Sequence, residues 1–283
     1  MRKRIALCIA LVLLTGLTTA VAQEATEFAD LRAYAPEGTF LEPGAEPMYD
    51  ENSYRSEHIA ITITRQRVEN ADVTIADIYV SSMKYLRRAF SGGAWKKPAD
   101  RVSSIALSNN AILAMSGDYA SLLDAGLVAA NGEVFRKSNN KARDNCLILK
   151  DGTMVTYPRR TKTVDEMITD NLWHSFLFGP RLLDDNGQPF PKFDSKIGVA
   201  NPRSVIGYYG PGHFCFVLVD GRSAQSKGLA LIPLSRFMSE LGCKAAYNLD
   251  GGQSAMMYFR GQIITEPYNG GRKISDIVYV GLQ

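Results

Sequence analysis

The sequence predicts an α+β fold: a mixed, mostly antiparallel sheet with helices packed on it, in a single domain. Three observations carry this. Apolar residues recur with a period of two in many short runs, turn dipeptides separate those runs at hairpin spacing, and few segments keep helical spacing.

The chain opens with Arg2, Lys3 and Arg4, an apolar run from Ile5, and small residues ending Ala20-Val21-Ala22. That three-part pattern predicts a secretory signal peptide over 1–22, and Thr15, Gly16, Thr18 and Thr19 interrupt the run too early for a membrane anchor. The expected location is secreted or cell-envelope, with no membrane span after cleavage. The chain holds 32 Lys+Arg and 29 Asp+Glu. The leader carries three bases and no acid, so the mature chain is balanced and gives no support to nucleic-acid binding. Cys146, Cys215 and Cys243 remain, each in an apolar run, which reads as buried free thiols or as one pair plus one free thiol.

Residues 23–55, with Pro36, Pro43 and Pro47 and no sustained period, predict a loosely packed arm or linker, and 56–283 the domain itself. Ile59, Ile61 and Ile63 alternate with smaller residues, and Val73 to Val80 does likewise after a polar turn, predicting a hairpin. A helix follows Pro98, with Val102, Ile105 and Ala106 on one face, then the strand AILAMSGDYA. Asn131-Gly132 and Asp151-Gly152 mark turns between paired strands. Thr163 to Asn171 predicts a helix, WHSFLFGP a strand, and NPRSVIGYY and HFCFVLVDGR two more. Pro233 opens the clearest helix, with Leu234, Phe237, Met238 and Leu241 in register and Gly242 past its end. AAYNLDGG, SAMMYF and DIVYV complete the strands.

Four strand ends share one design, an apolar run closing on polar residues beside glycine: Ser116-Gly117-Asp118, Phe178-Gly179-Pro180-Arg181, Asp220-Gly221-Arg222 and Asp250-Gly251-Gly252. Each alone is ordinary turn chemistry; together, if they converge, they make a site. Other site types are excluded. Met256 stands where a nucleophile elbow needs glycine, there is no H-E-x-x-H, and no glycine-rich loop opens a helix. His213 precedes the strand that ends at Asp220, which puts it at the far end, and Tyr247 with Met256 to Phe259 reads as strand core.

AYNLDGGQSAMMYFRGQII followed by GRKISDIVYV resembles the end of the phosphodiester glycosidase family, relatives of the lysosomal uncovering enzyme that removes N-acetylglucosamine from a phosphodiester. FGPRLL, NPRSVIG and HFCFVLVDGRSAQSKGL are similar to further blocks in the same order, and the resemblance covers about residues 56–283. Ser116 stands where the family generally carries Asn, and Gln253 and Ala255 where a third Gly and a second Ser are common.

The resemblance implies hydrolysis of the anomeric carbon–oxygen bond of a sugar-1-phosphodiester, in envelope or extracellular polysaccharide metabolism. A phosphate monoester leaving group, with second pKa about 6, needs little protonation. The demands shift to a cation on the phosphate and a carboxylate at the oxocarbenium-like carbon. Asp250 is expected as nucleophile or base with Asp118 as its partner, and Arg203 on the phosphate with Arg222 as second choice. Ser116, Gly117, Asp220, Arg222, Gly251, Gly252 and Ser254 are expected to bind substrate. Two other readings stand beside this one: a carbohydrate-binding protein whose site Ser116 and Gln253 have eroded, and a phosphodiesterase with a divalent cation on Asp118, Asp220 and Asp250.

Overall fold

A computed structural model describes residues 28–282, so the predicted leader lies outside the described residues. Its strands form sheets of seven, five, three and two strands, and every recorded pairing is antiparallel. The α+β prediction holds.

The burial of each strand follows its residues. Ile59–Val68 alternates and buries one face, pairing along its whole length with Ala71–Val80 as the hairpin predicted. After its first residue the His213–Val219 strand is continuously apolar and buried on both faces, as a central strand must be. It lies between Ala71–Val80 and Arg203–Gly210, with Ala245–Leu249 beyond.

Two sheets face each other across the largest core. Ile59, Ile61, Ile78, Ile206 and Phe216 of the seven-stranded sheet meet Leu113, Met115, Met257 and Val278 of the five-stranded sheet. Outside the first sheet, Leu234, Phe237 and Met238 of the Leu231–Glu240 helix pack on Val205, Cys215 and Val217. Outside the second, Val102, Ile105 and Ala106 of the Val102–Ser108 helix pack on Ala114, Ile277 and Tyr279. The result is two sheets with a helix on each outer face.

Three expectations change. Residues 48–55 are not a loose arm: Met48–Tyr49 and Ser53–Arg55 extend the seven-stranded sheet, and Leu31 is fully buried in the main core. The predicted 163–171 helix shrinks to one turn, Val164–Met167. Thr163 and Glu166 form a reciprocal cap that starts it, but the chain is extended again at Ile168 to reach the next strand. The last helix begins at Leu231, so Pro233 sits inside its first turn, where no backbone donor is needed.

Candidate active site

The four polar strand ends converge. Ser204 pairs with Leu249 and Arg203 with Val219, so the ends of the Ala245–Leu249 and His213–Val219 strands flank the start of Arg203–Gly210. The five-stranded sheet reaches this point through Ser116, whose hydroxyl meets Ser204 Oγ at 2.8 Å and donates to the Asp250 carbonyl at 3.2 Å. The Asp250 N–H donates to the Gly117 carbonyl at 3.0 Å. The Phe178–Arg181 end joins through Asn248, whose backbone and side-chain N–H groups donate to Pro180 and Gly179 carbonyls.

Asp250 is the carboxylate at the centre, 8% exposed. Arg272 Nη2 donates to both of its oxygens, at 3.0 and 3.3 Å, and Arg272 Nε donates to Ser254 Oγ at 2.5 Å. Burial raises the Asp250 pKa, opposed by the Ser254 hydrogen bond and the Arg272 charge. The Arg272 side chain is 43% exposed, and its guanidinium lies over the Tyr119 ring at 5.8 Å. It therefore holds the carboxylate with one edge while remaining open to solvent. Tyr119 lines a cleft of about 650 Å³ with Arg143, Phe178, Lys196 and Ile197. On its other flank Arg272 lines a hollow of about 550 Å³ with Arg101, Pro267 and Lys273.

The glycines here are required by close approach. A Cβ on Gly251 would stand 2.6 Å from the Pro202 carbonyl oxygen. On Gly117 it would overlap the Asp276 carboxylate, 2.9 Å from its Cγ. Gly252 has φ +60° and faces Arg222, whose Nη2 would be 3.2 Å from such a Cβ. Arg222 is exposed, donates from Nη2 to Asn201 Oδ1 at 2.8 Å, and lies over the Tyr268 ring at 5.3 Å.

Several expected site residues have other tasks. Asp118 was expected beside Asp250 as its catalytic partner, but its side chain is wholly enclosed and its two oxygens accept the Leu177 and Phe178 N–H groups at 2.8 and 2.7 Å. It fixes the Phe178 turn. Burial pushes its pKa to about 6, and the nearby Arg88 only partly offsets this. Arg203, expected on the phosphate, is 3% exposed and spends Nε on the Leu229 carbonyl and Nη2 on those of Ile197 and Val199. It is a strut for the 197–201 loop, and burial lowers its pKa to about 10.

Ser116, Gly117 and Ser254 are likewise internal: two tie the sheets together, and the third aligns Arg272. Asp220 Oδ1 accepts the Glu266 N–H at 3.0 Å, and burial raises its pKa to about 6. The three carboxylates expected to hold a cation do not gather: among the described residues no three metal-ligating side chains do. His213 bonds Asp77 Oδ1 at 2.8 Å at the strand end away from Asp220, and Tyr247, Met257 and Phe259 are core.

Sequence reasoning missed Arg272, which lay within a quoted block without a role. The pair of positive-φ glycines before it, Gly270 and Gly271, is the local signal of a tight approach. It also missed Arg88 and Asp276. Arg88 is fully buried, donates from Nε to Asp276 Oδ2 at 2.8 Å and from Nη1 to the Ser175 carbonyl at 2.6 Å, and leaves Nη2 without a hydrogen bond 3.9 Å from Asp118. An arginine inside the apolar strand LRRAF was its signal.

The chain is thus a two-sheet α+β scaffold that places a carboxylate, held by a partly exposed arginine, where strand ends converge. A family model for phosphodiester glycosidase matches residues 107–281, and the chain belongs to that family. It is 34% identical over 128 residues to the SPbeta prophage-derived uncharacterized protein YomE of Bacillus subtilis (strain 168), covering 44% of this chain and 20% of that one. It is 23% identical over 193 residues to the N-acetylglucosamine-1-phosphodiester alpha-N-acetylglucosaminidase of Mus musculus, covering 62% of this chain and 37% of that one. The chain thus spans well under half the length of these curated relatives. In fold it is similar to the zebrafish catalytic domain of that enzyme, with TM-score 0.64, 18% identity, and 80% and 83% of the two chains covered.

Proposed function

We propose that this chain hydrolyses the anomeric carbon–oxygen bond of a sugar-1-phosphodiester outside the cytoplasm, in envelope or extracellular polysaccharide metabolism. The observation that carries the reading is Arg272, bound to Asp250 and Ser254 yet 43% exposed beside two hollows.

Asp250 faces the anomeric carbon as nucleophile or base. Burial raises its pKa, and the Ser254 hydrogen bond and the ion pair with Arg272 work against that rise in favour of the ionised form. The free edge of Arg272 and the guanidinium of Arg222 take the phosphate oxygens, a role that passes to them from the enclosed Arg203. As the bond breaks, charge moves onto the phosphate, and two fixed cations already oriented toward it lower the barrier. The leaving phosphate needs no strong acid, which suits a site whose second carboxylate, Asp118, is occupied by backbone donors. The ring faces of Tyr119 and Phe178 suit a sugar. The family relative in mouse makes N-acetylglucosamine the first sugar to try.

The test is hydrolysis of N-acetylglucosamine-1-phosphodiesters in oxygen-18 water with mass analysis of both products. Label on the sugar supports the reading. Label on the phosphate means phosphorus–oxygen cleavage and overturns it, and ligand binding without turnover would make the chain a carbohydrate-binding protein.

A further inference from the structure

We propose that Cys215 and Cys243 form a disulfide that staples the end of the Leu231–Glu240 helix to the central strand and closes the segment bearing Asp220 and Arg222. Cys215 lies mid-strand in His213–Val219, and Cys243 follows the helix, its N–H donating to the Met238 carbonyl. Their sulfurs face each other at 3.8 Å, both enclosed by the same apolar cluster beneath that helix. They need to close by roughly 1.8 Å to reach the ~2.05 Å of a bond.

A second observation is independent of that distance. Gly207 lies opposite Cys215 in the neighbouring strand, and a Cβ there would be 2.6 Å from Cys215 Sγ and 2.8 Å from Cys243 Sγ. Met238 Cε would also be 2.8 Å away, so the space over this ladder position is filled by the two sulfurs side by side with the Met238 methyl. Cys146 belongs to the core on the opposite face of the seven-stranded sheet, so the three thiols divide into a facing pair and a single one.

The oxidant is a small-molecule or protein disulfide. One cysteine thiolate attacks it, forming a mixed disulfide and expelling one thiol. The other then attacks the mixed disulfide and expels the second thiol. Two electrons pass to the oxidant, the two cysteine protons are released to it and solvent, and one S–S bond replaces another. Both sulfurs are buried in the folded chain, and contact with the Cys243 sulfur together with burial holds the Cys215 thiol well above its usual range. Exchange therefore occurs before the helix docks, and the finished bond is protected from reductant afterward.

The bond spans 28 positions, and that segment includes Asp220 and Arg222. An oxidising compartment belongs to the export reading above, but the pairing can be tested without it. The full chain is unfolded with reductant, refolded in reduced and oxidised glutathione, denatured with iodoacetamide but no reductant, digested and mapped by mass spectrometry. The expected result is a Cys215–Cys243 linked peptide, two hydrogens lighter than its reduced parts, with Cys146 alkylated. Reduced protein should melt roughly 6–12 °C lower than linked protein. The link should survive Cys146→Ala and vanish in Cys243→Ala. Alkylation of both Cys215 and Cys243 in refolded protein of native circular dichroism, or a link through Cys146, overturns the proposal. If refolding from denaturant gives no native spectrum, the same mapping on chain exported to a bacterial periplasm decides it.

Discussion

Replacing Arg272 by alanine separates a catalytic role from a structural one, because the two have different expected sizes. The Arg272 side chain is 43% exposed, and solvent screening on that side limits what its pair with the buried Asp250 contributes to folding to about 1 kcal/mol. Its catalytic contribution is larger if its free edge meets charge that develops on the phosphate. Loss of one such donor costs roughly 10²–10³ in kcat, about 2.7–4 kcal/mol of transition-state stabilisation. Arg272→Ala should therefore keep its melting temperature within a few degrees and lose activity by that factor. The pH profile supplies a second signature. Burial raises the Asp250 pKa and Ser254 and Arg272 only partly oppose it, so removing the arginine moves the acid limb of kcat/KM to still higher pH. Arg272→Lys keeps the charge without the two-pronged grip, and should return the limb most of the way while recovering activity only in part. The assay is release of reducing sugar from a sugar-1-phosphodiester across pH 4–8. An unchanged kcat/KM and an unmoved limb in folded Arg272→Ala would refute the reasoning.

Asp250→Asn should abolish turnover in the same assay while leaving the unfolding midpoint near that of the parent. Gly117→Ala should drive the Asp276 carboxylate off Arg88 and the Asp118 N–H, costing about 3 kcal/mol or more and lowering the melting temperature by roughly 6–12 °C in calorimetry. Asp118 has a folded pKa of about 6, above the roughly 3.9 of an unfolded aspartate. The folded state thus binds more protons between these values, and the stability it gives is full below pH ~4 and lost as pH rises through 6. Urea midpoints should rise from pH 7 to pH 5, and Asp118→Asn should flatten that rise; a flat parent curve contradicts the burial argument.

The hairpin Ile59–Val80 was legible because one face is wet, which writes a period of two into the residues. The strands at 48–55 were not, because two or three residues cannot display a period, and their place in the sheet comes from pairing with Ala60 to Thr62. The polar ends of the strands were legible as a set, since glycine beside aspartate is a local signal. Their individual tasks were not. Arg203 and Arg272 are alike as letters, and only the fold encloses the first in the carbonyls of Ile197, Val199 and Leu229 while leaving the second partly exposed. Asp118 and Asp250 differ in the same way: one is spent on backbone amides contributed by a distant turn, the other is held by a side chain open to solvent.

The site stands where separate sheets meet, with Ser116 and Gly117 from one, Ser204 and Asp250 from another, and the Leu177–Phe178 turn held after the strand of a third. No single hairpin contains it: Asp250 and Arg272 are 22 positions apart, but Ser116, which bonds the Asp250 carbonyl, is 134 positions away. On the proposed function, activity would report on the whole cooperative unit: an intermediate with only one sheet formed has no centre to work with, so inactivation in denaturant should coincide with global unfolding rather than precede it.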